Sequence, residues 1–214
     1  MPLLAYCIVE SQATIQPPGH GVGGLPVESV EQAGLRCFLS QFVAAQKIEH
    51  TGEAALAFHG VVQHLFRQHP VVPFRFPTVL QDETELAGHL SEHAAEYHAA
   101  LSRLQGLAQV EIRIRSAAAS PLEPSHISGT QYLRQRQSLY GELEVASQAI
   151  HAAVSPLLKA WKVRSASDHV RCFALVERDK VKEIESSLSA VQISSTVAVR
   201  VSGPWPPTEF LKEL

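Results

Sequence analysis

The segment Val110-Glu111-Ile112-Arg113-Ile114-Arg115 alternates apolar and charged residues at every step. Successive side chains of an extended chain point to opposite faces. Such a run is therefore a strand with one face on a core and the other toward water or a polar partner. A strand of this kind needs a cover for its apolar face, and the sequence supplies candidates. From Thr51, the residues Ala55, Phe58, His59, Val62, Leu65 and Phe66 recur at three- and four-residue steps, a helical face that Pro70 ends. Asp82 with Glu85 gives a capping-box-like start to a second helix. Its stripe is Leu86, Leu90, Ala94, Tyr97, Leu101 and Leu104. Helices laid on sheets define the α+β class.

Residues 3–9 form a short, uninterrupted apolar run, read as a buried strand, and residues 26–30 and 35–43 are further strand candidates. Residues 71–76 are strand-like, with Pro73 removing a donor and directing that strand to an edge or a bulge. Residues 117–127 are rich in Ala, Ser and Pro and mark the expected linker. Ser128 with Gln131 then opens a long helix, in which Tyr132, Leu139, Ala146 and Ala153 run at sevens beside Leu143, Ile150 and Leu157. That is a coiled-coil-like seam, suited to another element or to a partner, and Ser155-Pro156 should kink or end it. A strand at 170–176, a helix at 179–190 and an alternating strand at 197–201 complete the chain. These readings predict two strand–helix–strand units, 71–115 and 170–201, each with its strands in one sheet and the helix on one face. They predict an N-terminal α+β domain at 1–116, a linker at 117–127 and a C-terminal domain with a long helix at 128–214.

Composition narrows the function. Lys plus Arg number 18 against 21 Asp plus Glu, a formal charge of -3. This balance gives no footprint for nucleic acid, and the basic residues do not cluster along the chain: Arg113/Arg115 and Arg134/Arg136 are the densest stretches. No run approaches the ~18 apolar residues of a membrane span. Residues 1–10 lack a basic region and read as a strand, not a signal peptide, so the cytoplasm is the expected location. Cys7, Cys37 and Cys172 are few, scattered and set in apolar runs, as expected of buried thiols in a reducing compartment.

A search for catalytic chemistry finds weak candidates only. Glu85, His89 and His93 stand at four-residue steps on one predicted helix, a spacing able to place two imidazoles on one ion. The preferred reading is a solvated helix face opposite the Leu86/Leu90 stripe, and no metal or other cofactor is expected. Gly19, Gly21, Gly23 and Gly24 imitate a phosphate loop, but Leu25-Pro26 follows them and opens no helix, so a flexible surface loop is the expectation. No catalytic residues emerge.

Three segments stand out instead. The first is Pro73-Phe74-Arg75-Phe76-Pro77-Thr78. The second is Gly129 with Tyr132-Leu133, at the start of the long helix. The third is Gly203-Pro204-Trp205-Pro206-Pro207, followed by Phe210. The tail reads either as a Trp-anchored strap across the C-terminal domain or as a docking peptide. In this order, together with the first strand, these segments resemble the gas-vesicle synthesis protein GvpL/GvpF family across essentially the whole chain. Two positions depart from the family pattern: Pro77 stands where Gly is usual and Thr208 where Tyr is usual. The resemblance implies a ferredoxin-like N-terminal α+β domain and a C-terminal domain with a long helix. It implies an accessory role in assembling gas vesicles, with the small hydrophobic shell protein and other accessory proteins as partners. It also implies the gas vesicle as a location, without cofactor or catalytic residues. Pro73, Arg75, Phe76, Thr78, Gly129, Tyr132, Leu133, Gly203, Pro204, Trp205, Pro206, Pro207 and Phe210 are its candidate structural or partner-binding residues. Two alternatives stand beside it: a divergent member recruited to another protein complex, and a metal-dependent enzyme using the histidine-bearing helix.

Overall fold

The computed structural model describes residues 1–43, 48, 50–117, 129–166 and 168–211, without the side chains of 129, 131–136 and 139. The chain divides into two units, Met1–Gly106 with Trp205–Leu214, and Leu107–Pro204. The elements of the first unit are β1 (Leu3–Glu10), β2 (Glu28–Gln32), β3 (Leu35–Gln41), α1 (Gly52–Gln68), β4 (Val72–Leu80), α2 (Glu83–Glu92) and α3 (Ala94–Arg103). Its sheet runs β2-β3-β1-β4, and β1 pairs antiparallel with both β3 and β4.

The apolar run that forms β1 is buried from Leu3 to Val9, each residue at most 1% exposed. A strand this apolar needs cover on both faces. A register shift between Ala5 and Cys7 divides its side chains between those covers. Leu3, Ala5 and Ile8 join Leu86, Leu90, Tyr97 and Leu101 of α2 and α3 in one core. Tyr6 turns to the opposite face, where its ring lies 5.2 Å from that of Phe58 on α1. The one-sided cover expected from the sequence is thus replaced, in this unit, by helices on both faces of the sheet.

The buried Tyr6 hydroxyl accepts the Val22 N–H at 3.0 Å and pairs with Ser40 Oγ at 2.9 Å. Ser40 in turn donates to the Pro26 carbonyl at 2.7 Å. This polar chain draws the glycine-bearing loop onto the sheet. Any Cβ at Gly21 would fall on the Tyr6 hydroxyl. The loop expected to be flexible is therefore a fitted cover over Tyr6. The β2–β3 hairpin turns through Ala33 (φ 54) and Gly34 (φ 78), the positive-φ pair that a tight right-twisted hairpin requires.

The second unit contains β5 (Leu107–Ser116), α4 (Gly129–Val154), β6 (Ala160–Ser165), β7 (His169–Glu177), α5 (Val181–Ser189) and β8 (Val197–Trp205), whose last residue belongs to the first unit. The sheet order is β6-β7-β5-β8. Antiparallel pairing sets Val110, Ile112 and Ile114 of β5 opposite Ala174, Cys172 and Val170 of β7. On that face lies α4, whose Ser147 Oγ is 3.3 Å from Cys172 Sγ. Leu143, Ala146, Ile150 and Val154 of α4 are buried with Ile184 and Leu188 of α5.

Several expectations change. β5 belongs to the second sheet and not beside β4, so 71–115 is not a single-sheet unit, and β7 and β8 flank β5 instead of pairing with each other. The contact division falls at Gly106, not within 117–127, and apart from Ala117 that expected linker lies outside the described residues. From Leu143 onward the apolar seam of α4 faces its own sheet. The single predicted helix after Asp82 breaks at His93 (φ -103, ψ 13) into α2 and α3. Strand β6, mostly exposed, adds an edge that the sequence pattern does not mark.

Tyr6→Phe removes one acceptor and one donor from the buried chain without changing the ring. Urea unfolding should show a loss of about 1–3 kcal/mol, the cost of leaving buried polar groups unpaired. An unchanged unfolding midpoint would contradict the role given to this hydroxyl.

Candidate functional site

β4 is an edge strand, and its pairing with β1 is interrupted. Thr78 stands opposite Ala5 and Pro73 opposite Cys7, so residues 74–77 bow outward against Tyr6 alone. The Thr78 hydroxyl donates to the Arg75 carbonyl at 2.7 Å and closes the bow. Its two aromatics part company. Phe76 packs toward α1, 5.3 Å from Phe58, and Phe74 toward α2, 6.0 Å from the ring of His89. Arg75 is exposed between them. The edge placement and bulge expected of a strand carrying Pro73 are both present.

Beneath the bow lies a cleft of about 780 Å³, lined by Phe74, Leu80, His89, His93, Tyr97 and Leu211 among others. Tyr97 is buried, and its hydroxyl lies 2.7 Å from His89 Nε2. Burial pushes the Tyr97 phenol up to about 12, with smaller contributions from Cys37 and Glu96. Burial also lowers the pKa of His89, and the neighbouring His93, 4.7 Å away ring to ring, lowers it further. The solvated-face expectation is therefore corrected. His89 and His93 are half-buried members of an aromatic cluster at i, i+4 and i+8 with Tyr97, a spacing visible in the sequence. Among the described residues, no three His, Cys, Asp or Glu side chains converge in a way that could hold a metal ion.

The tail closes one end of the cleft. Gly203 has φ 140, a conformation that side-chain-bearing residues rarely adopt, so this position calls for glycine. The Trp205 ring lies 4.9 Å from that of His59 on α1, and Pro206 and Pro207 are buried. Burial lowers the pKa of His59. Arg103 donates to the Phe210 carbonyl at 3.3 Å, and Leu211 packs on the α2–α3 core. The strap thus crosses the first unit, which corrects the expectation that it crosses the C-terminal domain. Pro73, Arg75, Phe76 and Thr78 and the tail's Trp205, Pro206, Pro207 and Phe210 all belong to this unit, and Pro73, Arg75 and Thr78 line the cleft together with the tail's Thr208 and Leu211. Gly203 and Pro204 belong to the second unit. Gly129, Tyr132 and Leu133 form the beginning of α4, also in the second unit, and their side chains lie outside the described residues.

The three thiols offer no nucleophile. Cys7, Cys37 and Cys172 are buried, and burial raises each pKa. No helix among the described residues is long and apolar enough to cross a membrane.

The arrangement defines a class: a two-unit α+β protein in which a proline-rich tail straps the first unit beside an edge-strand bow. Two solved structures share the fold along the full chain. The gas vesicle protein GvpF from Anabaena sp. PCC7120 has a TM-score of 0.80 at 14% identity, covering 100% of this chain and 97% of its own. GvpF from Microcystis aeruginosa has a TM-score of 0.79 at 13% identity, covering 99% of each chain. Comparison with curated protein sequences gives no match. The model of the gas vesicle synthesis protein GvpL/GvpF family matches residues 2–212, and the chain belongs to that family.

The His89–Tyr97 contact has a pH signature. A histidine whose folded pKa lies below its ordinary 6.5 binds fewer protons folded than unfolded, so its stabilising contribution is full above that value. It declines as the pH falls through 6.5 toward the lowered folded value. His89→Gln should therefore lose stability at neutral pH and fall less steeply than the parent as the pH drops below about 6.5. Parallel pH profiles of melting temperature for the two proteins would contradict this.

Proposed function

We propose that this chain serves gas vesicle formation by binding, holding an apolar segment of the small shell protein or of another accessory protein in the cleft beneath the β4 bow. The observation that carries the reading is that one cleft, in a chain of this family, is lined both by the bow, through Pro73, Phe74, Arg75 and Thr78, and by the tail, through Thr208 and Leu211. Most side chains named in that cleft are apolar or aromatic, and it lies at a sheet edge. Edge strands and apolar grooves are surfaces on which extended or helical segments dock. The buried thiols and the hydrogen-bonded His89 support a role in binding and not in catalysis.

Association through such a cleft should be driven mainly by apolar burial, which salt does not screen. On co-expression with the shell protein encoded nearest in its genome, the chain should retain that protein in pull-downs at both low and high salt. Phe74→Asp, folded as judged by circular dichroism, should retain much less. Absence of association at either salt concentration, with both proteins folded and soluble, would contradict the proposal and favour recruitment to another complex.

A further inference from the structure

Strand β2 gains little from burial. It is the outer strand of the first sheet, four of its five residues are exposed, and Val30 alone packs partly on the core. An edge strand of this kind opens at low cost unless polar contacts tie it down. Such ties gather at the tip of the β2–β3 hairpin. The Ser11 N–H donates to the Gly34 carbonyl at 2.9 Å, and the Gln32 side chain donates to Ser91 Oγ of α2 at 3.0 Å. The third tie is His98 of α3.

His98 Nδ1 lies 2.9 and 3.0 Å from the two carboxylate oxygens of Glu10, the last residue of β1. Its Nε2 lies 3.0 Å from the carbonyl oxygen of Ala33, in the hairpin turn. The ring fits closely against that turn, since a Cβ at Gly34 would come within 3.3 Å of it. An ionised carboxylate and a carbonyl only accept. A neutral imidazole carries one N–H, so either tautomer sets a bare nitrogen against one of these oxygens. Only the imidazolium donates to both. The hydrogen bonds to Glu10 and to Ala33 raise the His98 pKa, against a smaller opposing effect of burial. Glu10 is the charged group that faces the ring from β1. On the hairpin, Glu31 is paired with Arg36, and Ala94, Ala95, Leu101 and Ser102, one turn away on α3, carry no charge.

We propose that His98 is a pH-sensitive latch, closing the tip of the β2–β3 hairpin onto α3 and the end of β1 as the imidazolium and releasing it as the ring loses its proton. The latch sits at the sheet edge opposite β4 and is independent of the binding proposed for the cleft. A group whose folded pKa is raised binds more protons folded than unfolded. Its contribution is therefore full below the ordinary value of 6.5 and is lost as the pH rises through the higher folded value. His89 has the opposite sign, so the two histidines are told apart by the direction of their pH dependence.

Nitrogen-15 NMR of the full chain reads the ring directly. The titration midpoint of His98 should lie above 6.5, with both ring nitrogens protonated on its acid side. Glu10→Gln should bring the midpoint back toward 6.5. Amide exchange is followed in the same samples as protection relative to the unfolded chain, which removes the intrinsic rise of exchange with pH. In the parent, protection at Ser11 and at residues 32–35 should fall as the pH rises through the midpoint. In His98→Gln, whose amide bears no charge at any pH, protection at those residues should not change over the same range. A parent midpoint at or below 6.5, a midpoint unmoved by Glu10→Gln, or tip protection in the parent that stays constant across the midpoint would overturn the proposal.

Discussion

The first unit depends on a single strand buried from both sides. β1 is the longest wholly apolar stretch in that sheet, and neither face can be left to water. Its register shift at Tyr6 lets one strand serve two cores. Leu3 and Ala5 before the shift and Ile8 after it join the core of α2 and α3, while Tyr6 lies against Phe58 of α1. Placing a tyrosine there imposes further conditions. Its hydroxyl must be paired, which brings down the loop through Val22 and Ser40, and its ring occupies the space that any side chain at Gly21 would need. The same shift disrupts pairing with β4 opposite Tyr6, and residues 74–77 bow out at that point. The candidate cleft is thus a consequence of how the core of the unit is arranged.

Much of this was legible where the cause is local. The helical spacing from Thr51 marks the start of α1, where the Thr51 side chain accepts the Ala54 N–H, and Asp82 caps α2 by accepting from the Glu85 N–H. Glu85 reaches back to the Gln81 N–H, one residue earlier than in the usual reciprocal box. Pro156 lies just past the end of α4, and the alternation of residues 110–115 marks β5. What could not be read is which elements meet. The alternation says that β5 needs a covered face; it does not say that β7 and β8, rather than β4, are its neighbours. The helical spacing of α4 shows an apolar stripe but not whether the occupant is its own sheet or a partner. β6 is a short edge strand with exposed residues along most of its length, so little burial pattern marks it. The aromatic His89–His93–Tyr97 cluster had a signal in its four-residue spacing, but the polar character of histidine favoured reading it as solvated.

Two of the three family-type segments now have physical roles. Thr78 closes the bow by its hydroxyl, Pro73 begins the unpaired stretch, and Phe76 continues the ring contacts Tyr6–Phe58–Phe76. Gly203 permits the turn into the tail, and Trp205 seats it on α1. These roles are structural in the first instance. They hold the rim of the cleft, and binding would follow from the shape so held.

The central claim is that this cleft is where a partner engages. Hydrogen–deuterium exchange on the chain alone and with bound shell protein tests it most directly. The account predicts slowed exchange in residues 72–80 and 208–211, with little change in β3 and β7, whose amides are already paired. Stable binding with unchanged exchange in both of those segments, and protection concentrated elsewhere, would contradict it.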